Sequence, residues 1–187
     1  MRCPVCTPAP ELQPHTPDAS PTVNACPNCH GNWVRAADYW RWRAEHRGEL
    51  AAAPPAESTG TRPEPADTEG LKLCPEDGHI LGRYRVGHGL GFAVDHCRNC
   101  DGVWLDADEW EALRLAGVHG SLTEIYADEW QREVRAEDRR ERERAQWVRQ
   151  LGEADFDRVR EVREWVDAHP HRSELYAFLN PSNRPLG

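Results

Sequence analysis

Seven cysteines are the residues of this chain best suited to chemistry, and all fall in short clusters: Cys3 with Cys6, Cys26 with Cys29, Cys74 alone, and Cys97 with Cys100. A C-x2-C pair forms a tight turn that aims two thiolates at one point, and two such turns close a tetrahedron around Zn2+. Superposed on itself at an offset of 71 residues, the chain places Cys3 on Cys74, Cys26 on Cys97, Cys29 on Cys100 and Cys6 on Asp77. The same offset matches Pro4 with Pro75, Val23 with Val94, Asn28 with Asn99, Gly31 with Gly102 and Trp33 with Trp104, which marks an internal repeat. In each copy 19 residues separate the first knuckle from the second. The first copy offers Cys3, Cys6, Cys26 and Cys29 as metal ligands. The second offers Cys74, Cys97 and Cys100, and Asp77 is a candidate for the fourth place because its side chain is about as short as cysteine's and a carboxylate oxygen binds zinc at roughly 2.0–2.2 Å. His79, His96 and His88 are the other candidates, and a second copy that folds on its apolar residues without metal is the remaining reading. Two Zn2+ ions are expected, both structural because a four-ligand site leaves no open position.

The elements that must position these ligands are short. Five prolines between residues 7 and 21 remove backbone donors and predict a brief, irregular hairpin in the first copy. In the second copy Tyr84 and Val86 alternate with Arg83 and Arg85, and Phe92 and Val94 alternate on the return, which predicts a regular β-hairpin around Gly87-His88-Gly89. Those glycines lack the G-K-[ST] sequel of a phosphate loop. A tryptophan and then a helix follow each second knuckle. Asp106 is the expected N-cap of the second helix, with Glu109 as its capping-box partner, Trp110 and Leu113 on one face and Gly117 as the stop. The first helix has Arg35 at the capping place and starts less well. Trp33 and Trp104 are expected to cover the metal clusters.

The expected organisation is a first module at 1–48, a flexible linker at 49–70 rich in Pro, Ala, Thr and Glu, a second module at 71–117, and a helical charged tail at 118–187. The fold class is therefore small α+β: two tandem knuckle-hairpin-helix modules followed by an α-helical tail. In the tail, Leu122, Ile125, Tyr126, Trp130 and Val134 form an apolar stripe that fades into a run of mixed charge, and Phe156, Val159, Val162 and Val166 mark a further helix before Pro170. A short helix near Ser173–Leu179 completes it.

With 32 acidic against 23 basic residues, the net charge of −9 repels phosphate backbones. No apolar run reaches the length of a membrane span, and Met1-Arg2-Cys3-Pro4 does not begin a secretion signal, so a cytoplasmic protein is expected.

The segment from Cys97 to Arg114, with Cys74 and Pro75 ahead of it, resembles the bacterial zinc-ribbon family named for its similarity to the zinc finger of transcription factor IIB. The pattern of that family, CPxC, a hairpin, then CxxCxGxWLDxxE, is similar here at Cys74, Pro75, Cys97, Cys100, Gly102, Trp104, Leu105, Asp106 and Glu109. The first copy keeps Cys3, Pro4, Cys6, Cys26, Cys29, Gly31 and Trp33 but has Val34-Arg35-Ala36 after the tryptophan, as a divergent member. The resemblance implies zinc binding and a ribbon fold. The functional expectation is a structural zinc protein whose ribbons and tail bind another protein, with self-association through the tail as one form of that. Transcription-related nucleic-acid binding is the alternative, opposed by a net charge of −3 over residues 71–118. No motif places a general base, and the chain is not expected to be an enzyme.

Overall fold

Both tryptophans that follow a second knuckle lie on short strands, and those strands pair with each other. The computed structural model describes residues 1–18, 20–52 and 65–180. The chain divides into two compact units, Met1–Arg135 and Ala136–Gly187. The first holds a six-stranded antiparallel sheet of β1 (Gln13–His15), β2 (Val23–Ala25), β3 (Asn32–Val34), β4 (Gly82–Gly87), β5 (Leu90–His96) and β6 (Val103–Leu105), in the order β1-β2-β3-β6-β5-β4. The prolines confine β1 and β2 to three residues each, whereas β4 and β5 form the longer expected hairpin, turned at His88-Gly89 with positive φ at Gly87, His88 and Gly89.

The register joining the two hairpins sets Asn32 opposite Leu105, Trp33 opposite Trp104 and Val34 opposite Val103. Of these pairs the offset of 71 equates Trp33 with Trp104, and the flanking pairs exchange partners about them, as a local two-fold axis between the two tryptophans requires. Alternation along a strand sends Trp33 and Trp104 to one face and Val34, Val103 and Leu105 to the other. The tryptophan face packs Cys3, Cys26, Cys74, Cys97, Leu12 and Leu81 around the fully buried indoles. The opposite face carries the larger apolar core, with Tyr84, Phe92, Val94 and Leu105 beneath helical residues such as Tyr39, Trp42 and Leu113.

The indoles also explain the glycines. A Cβ on Gly31 would lie 2.2 Å from the Trp104 ring, and a Cβ on Gly102 would lie 2.2 Å from the Trp33 ring. Each tryptophan therefore crosses the seam and packs against the glycine of the other hairpin, at a distance no side chain permits.

Helices α1 (Ala36–Glu45) and α2 (Arg47–Ala52) follow β3, and α3 (Glu109–Leu115) follows β6. Arg35 stands at the start of α1 without a side-chain cap, as expected. Helix α3 departs from expectation: it begins two residues later, behind Asp108 in the left-handed region, and Asp106 is not its N-cap. The carboxylate of Asp106 is drawn instead to buried donors described below. Half of the expected box survives, because the Asp106 amide donates to Glu109 Oε2 at 2.8 Å. At the other end Gly117, at φ +73°, closes a Schellman motif in which the amides of Gly117 and Val118 donate to the carbonyls of Arg114 and Leu113. Trp42 of α1 meets Trp110 of α3 edge to face at 5.1 Å, tying the two helices together.

A 3-10 turn (His119–Ser121) leads to α4 (Leu122–Ile125) and α5 (Asp128–Leu151), so the apolar stripe expected on one helix is broken at Tyr126-Ala127. Leu122 and Ile125 are buried in the larger core. Trp130 Nε1 donates to the Val86 carbonyl at 2.8 Å and Gln131 Nε2 to the Arg85 carbonyl at 2.8 Å, which occupies acceptors at the outer edge of β4. Of the expected linker, residues 53–64 lie outside the described residues. Past them, the amide of Ala66 donates to the Ala107 carbonyl at 3.1 Å. The second unit holds the rest of α5, then α6 (Glu153–Ala168) and α7 (Arg172–Leu179), with the Tyr176 hydroxyl donating to Asp167 at 2.7 Å. None of the described helices is long and apolar enough to cross a membrane.

If the glycine-tryptophan contacts close the seam, Gly31→Ala and Gly102→Ala should each lower the urea midpoint, by about 1–3 kcal/mol of stability as overpacking costs do. Gly91→Ala, with nothing within 4 Å of its added carbon, is the neutral control.

Candidate metal centres

Cys3, Cys6, Cys26 and Cys29 come together with their sulfurs all within 4.8 Å of one another, and so do the ligand atoms of Cys74, Asp77, Cys97 and Cys100. The knuckles that carry them are built alike. The Cys26 amide donates to the Gly31 carbonyl at 2.8 Å and the Cys97 amide to the Gly102 carbonyl at 2.9 Å. His30 and Asp101, equated by the repeat offset, share the left-handed conformation at φ +60° and +57°. Backbone amides point at the sulfurs: Val5 and Cys6 donate to Cys3 Sγ, Cys29 to Cys26 Sγ and Glu76 to Cys74 Sγ, at 3.4–3.5 Å.

The spacing fits zinc. Four sulfurs at about 2.3 Å from a central Zn2+ stand about 3.8 Å apart along each edge of the tetrahedron. Cys3 and Cys29 are 3.7 Å apart, and Cys6 and Cys26 are 3.8 Å apart. A disulfide needs about 2.05 Å. In the second cluster Cys74 and Cys100 are 3.5 Å apart. An oxygen at about 2.0 Å and a sulfur at about 2.3 Å from one zinc stand about 3.5 Å apart, and Asp77 Oδ2 lies 3.5 Å from Cys97 Sγ.

Burial governs the protonation of the same clusters. Burial pushes the Cys29 and Cys74 thiols far up, pushes Cys100 up to about 11, and raises Cys6. Burial also opposes ionisation of Cys26, but the backbone N–H groups of Cys29 and Asn28 outweigh it and bring that thiol down to about 7. Four thiolates this close repel one another, so without metal the clusters hold protons that Zn2+ displaces on binding. Asp77 needs no such exchange: the Asn99 side chain and the His79 amide hold its carboxyl well below the usual range.

None of the other candidates for the fourth ligand joins this cluster. His79 is exposed, with Nδ1 3.1 Å from Asp77 Oδ1. His96 is buried and stacked on Tyr126 at 3.9 Å, with Nε2 3.3 Å from Asp101. His88 packs edge-on against Trp130.

Residues 73–115 match the family model described as the transcription factor zinc-finger, a TFIIB-type zinc ribbon. No curated protein and no solved structure was found to match the chain. The matched segment contains the second cluster, and the four sulfurs of the first fit a second site of the same kind.

A buried ionic network that sequence reasoning missed supports the matched segment. Lys72, the only lysine of the chain, is buried with Nζ 2.5 Å from Asp95, 3.2 Å from Asp106 and 2.8 Å from the Thr68 carbonyl. Asp106 also accepts from the Thr68 amide and hydroxyl and from Trp104 Nε1 at 2.7 Å. These donors, Thr68 foremost, outweigh burial and hold its carboxyl below the usual range. Arg83 pairs with Asp67. Oxygens of Asp67, Asp106 and Glu109 also lie within 4.8 Å of one another, but Lys72 and Arg83 already supply the positive charge there. Burial pushes Glu109 up to about 9, and its Oε1 has no partner.

Two expectations follow. Chelating the metal should abolish the cooperative thermal transition seen in the near-ultraviolet signal of Trp33 and Trp104, since small metal domains draw most of their stability from the ion; an unchanged transition would refute this. Glu109 binds its proton in the folded chain but ionises near pH 4.5 when unfolded. Folding therefore takes up a proton, and this group's contribution to stability declines as pH rises from about 4.5 to about 9. Glu109→Gln should gain on the wild type steadily in urea midpoint between pH 6 and 9.

Proposed function

We propose that the chain is a structural zinc-binding protein of the cytoplasm: tandem zinc ribbons at 1–48 and 71–117, each stapled by one Zn2+, carrying a helical arm that binds another protein. When bound, the metal supplies the cohesion that a module of about 45 residues lacks, worth about 10–16 kcal/mol in small zinc fingers. Both donor sets consist of four side chains, which leaves no coordination position for water and argues against catalysis.

The observation that carries the protein-binding part is the surface of the second unit. Phe178 is 76% exposed and Trp165 57% exposed, and Trp147, Val159 and Val162 are exposed with them. Large apolar side chains in that number mark a contact with protein. A nucleic-acid reading has one feature in its favour: exposed Trp40, with the Arg43 guanidinium 5.1 Å from its ring, lines a cleft with Arg47. The net charge opposes it.

Crosslinking of the full-length protein in cells, read by mass spectrometry, should place the partner's contacts on α6 and α7. The pair Val162→Asp and Trp165→Asp should remove those contacts and leave bound zinc per chain unchanged. Contacts confined to residues 1–135, or a salt-sensitive anisotropy rise of labelled DNA or RNA at micromolar protein, would overturn this reading in favour of the ribbons or of nucleic acid.

A further inference from the structure

The two clusters form an internal comparison: the same knuckle geometry, with one thiolate exchanged for a carboxylate. Cys6 Sγ stands 3.8 Å from Cys26 Sγ, and Asp77 Oδ2 stands 3.5 Å from Cys97 Sγ, the partner that the repeat offset equates with Cys26. Resting on the zinc-binding reading above, we propose that the Asp77 site is the exchangeable member of the pair, losing its Zn2+ first as zinc becomes scarce, and that its emptying is transmitted to the first half of the sheet through Glu76.

Two features weaken the second site. Zinc is a borderline-soft ion, and a thiolate holds it more firmly than a carboxylate oxygen does. The oxygens of Asp77 are also shared: Oδ2 accepts from Asn99 Nδ2 at 2.9 Å, and Oδ1 accepts from the His79 amide at 3.0 Å and lies 3.1 Å from His79 Nδ1. These contacts orient the carboxylate but draw on the lone pairs that the metal needs.

The transmission follows from what else the knuckle carries. Glu76 sits between Cys74 and Asp77, and its amide donates to Cys74 Sγ at 3.4 Å. Its carboxylate reaches across to the first half, where it accepts from Trp33 Nε1 at 3.0 Å and pairs with Arg35 Nε at 3.1 Å. Closure of this knuckle around Zn2+ would lock Glu76 in that position, and release of the ion would free it. The reverse link is missing: the residue equated with Glu76 is Val5, and Trp104 Nε1 is bonded to Asp106 of its own segment. Emptying the second site therefore deprives the indole of Trp33 of its acceptor, whereas emptying the first leaves that of Trp104 bonded.

The test is a chelator titration of full-length, two-zinc protein, followed by native mass spectrometry, by alkylation of each cysteine, and by the indole N–H resonances. Glu76→Gln, which keeps every ligand, identifies the resonance of Trp33. Cys74, Cys97 and Cys100 should become reactive at chelator concentrations on the order of tenfold below those that expose Cys3, Cys6, Cys26 and Cys29. The Trp33 resonance should shift in the same step. Asp77→Cys should bring the two releases together. Should that variant fail to fold, Cys6→Asp should bring the first cluster down to the second. Wild-type clusters that open together, or a first cluster that opens first, overturn the proposal, as does a Trp33 resonance that stays put while Cys74 reacts. A chain that purifies without any zinc and keeps its fold overturns the zinc-binding reading itself.

Discussion

A seam of two three-residue strands offers too few backbone hydrogen bonds to hold two hairpins in one sheet, and β3 and β6 are that short. Closure comes from the side chains. Trp33 and Trp104, both fully buried, lie against Gly102 and Gly31 of the opposite hairpin, so each indole buries its area on backbone that only glycine leaves open. The same rings pack among the cysteines, and the sheet order, the placing of the metal ligands and the covering of the opposite face all follow from that contact.

Away from the seam the halves part company. Trp33 takes its acceptor from Glu76 of the other hairpin, whereas Trp104 takes Asp106 two residues along. That choice draws Asp106 away from the helix it was expected to cap and places two carboxylates against Lys72 in a nearly dry interior. A buried ammonium with two carboxylate partners is tolerated because each charge is hydrogen-bonded, and removing one partner strands the others. The residues around Thr68 are held to the second hairpin by this need for donors, although their composition reads as linker.

How much was legible in the sequence follows from range. The cysteine spacing, the long β4–β5 hairpin, the stop at Gly117 and the helices of the tail are local patterns, and these survive in the structure, whereas the local capping signal at Asp106 yields to more distant donors. The repeat offset paired Gly31 with Gly102 and Trp33 with Trp104, yet it could not tell that each glycine answers the other tryptophan, because two equal copies look the same whether they sit apart or interlock. Lys72 carried a faint signal as the lone lysine, two residues ahead of Cys74, while Asp95 was hidden near the end of a mostly apolar strand. Leu122, Ile125 and Trp130 read as the start of a tail, since an amphipathic stripe does not name the surface it will cover.

A contact related by a two-fold axis is self-complementary, the geometry by which two identical subunits recognise each other. Here both partners belong to one polypeptide, so their union does not depend on dilution: the tether supplies a high, constant effective concentration. Freed from the demand that one sequence serve both sides, each side has room to drift, and the carboxylate at 77, the arginine at 35 and the lone lysine are what that freedom permits.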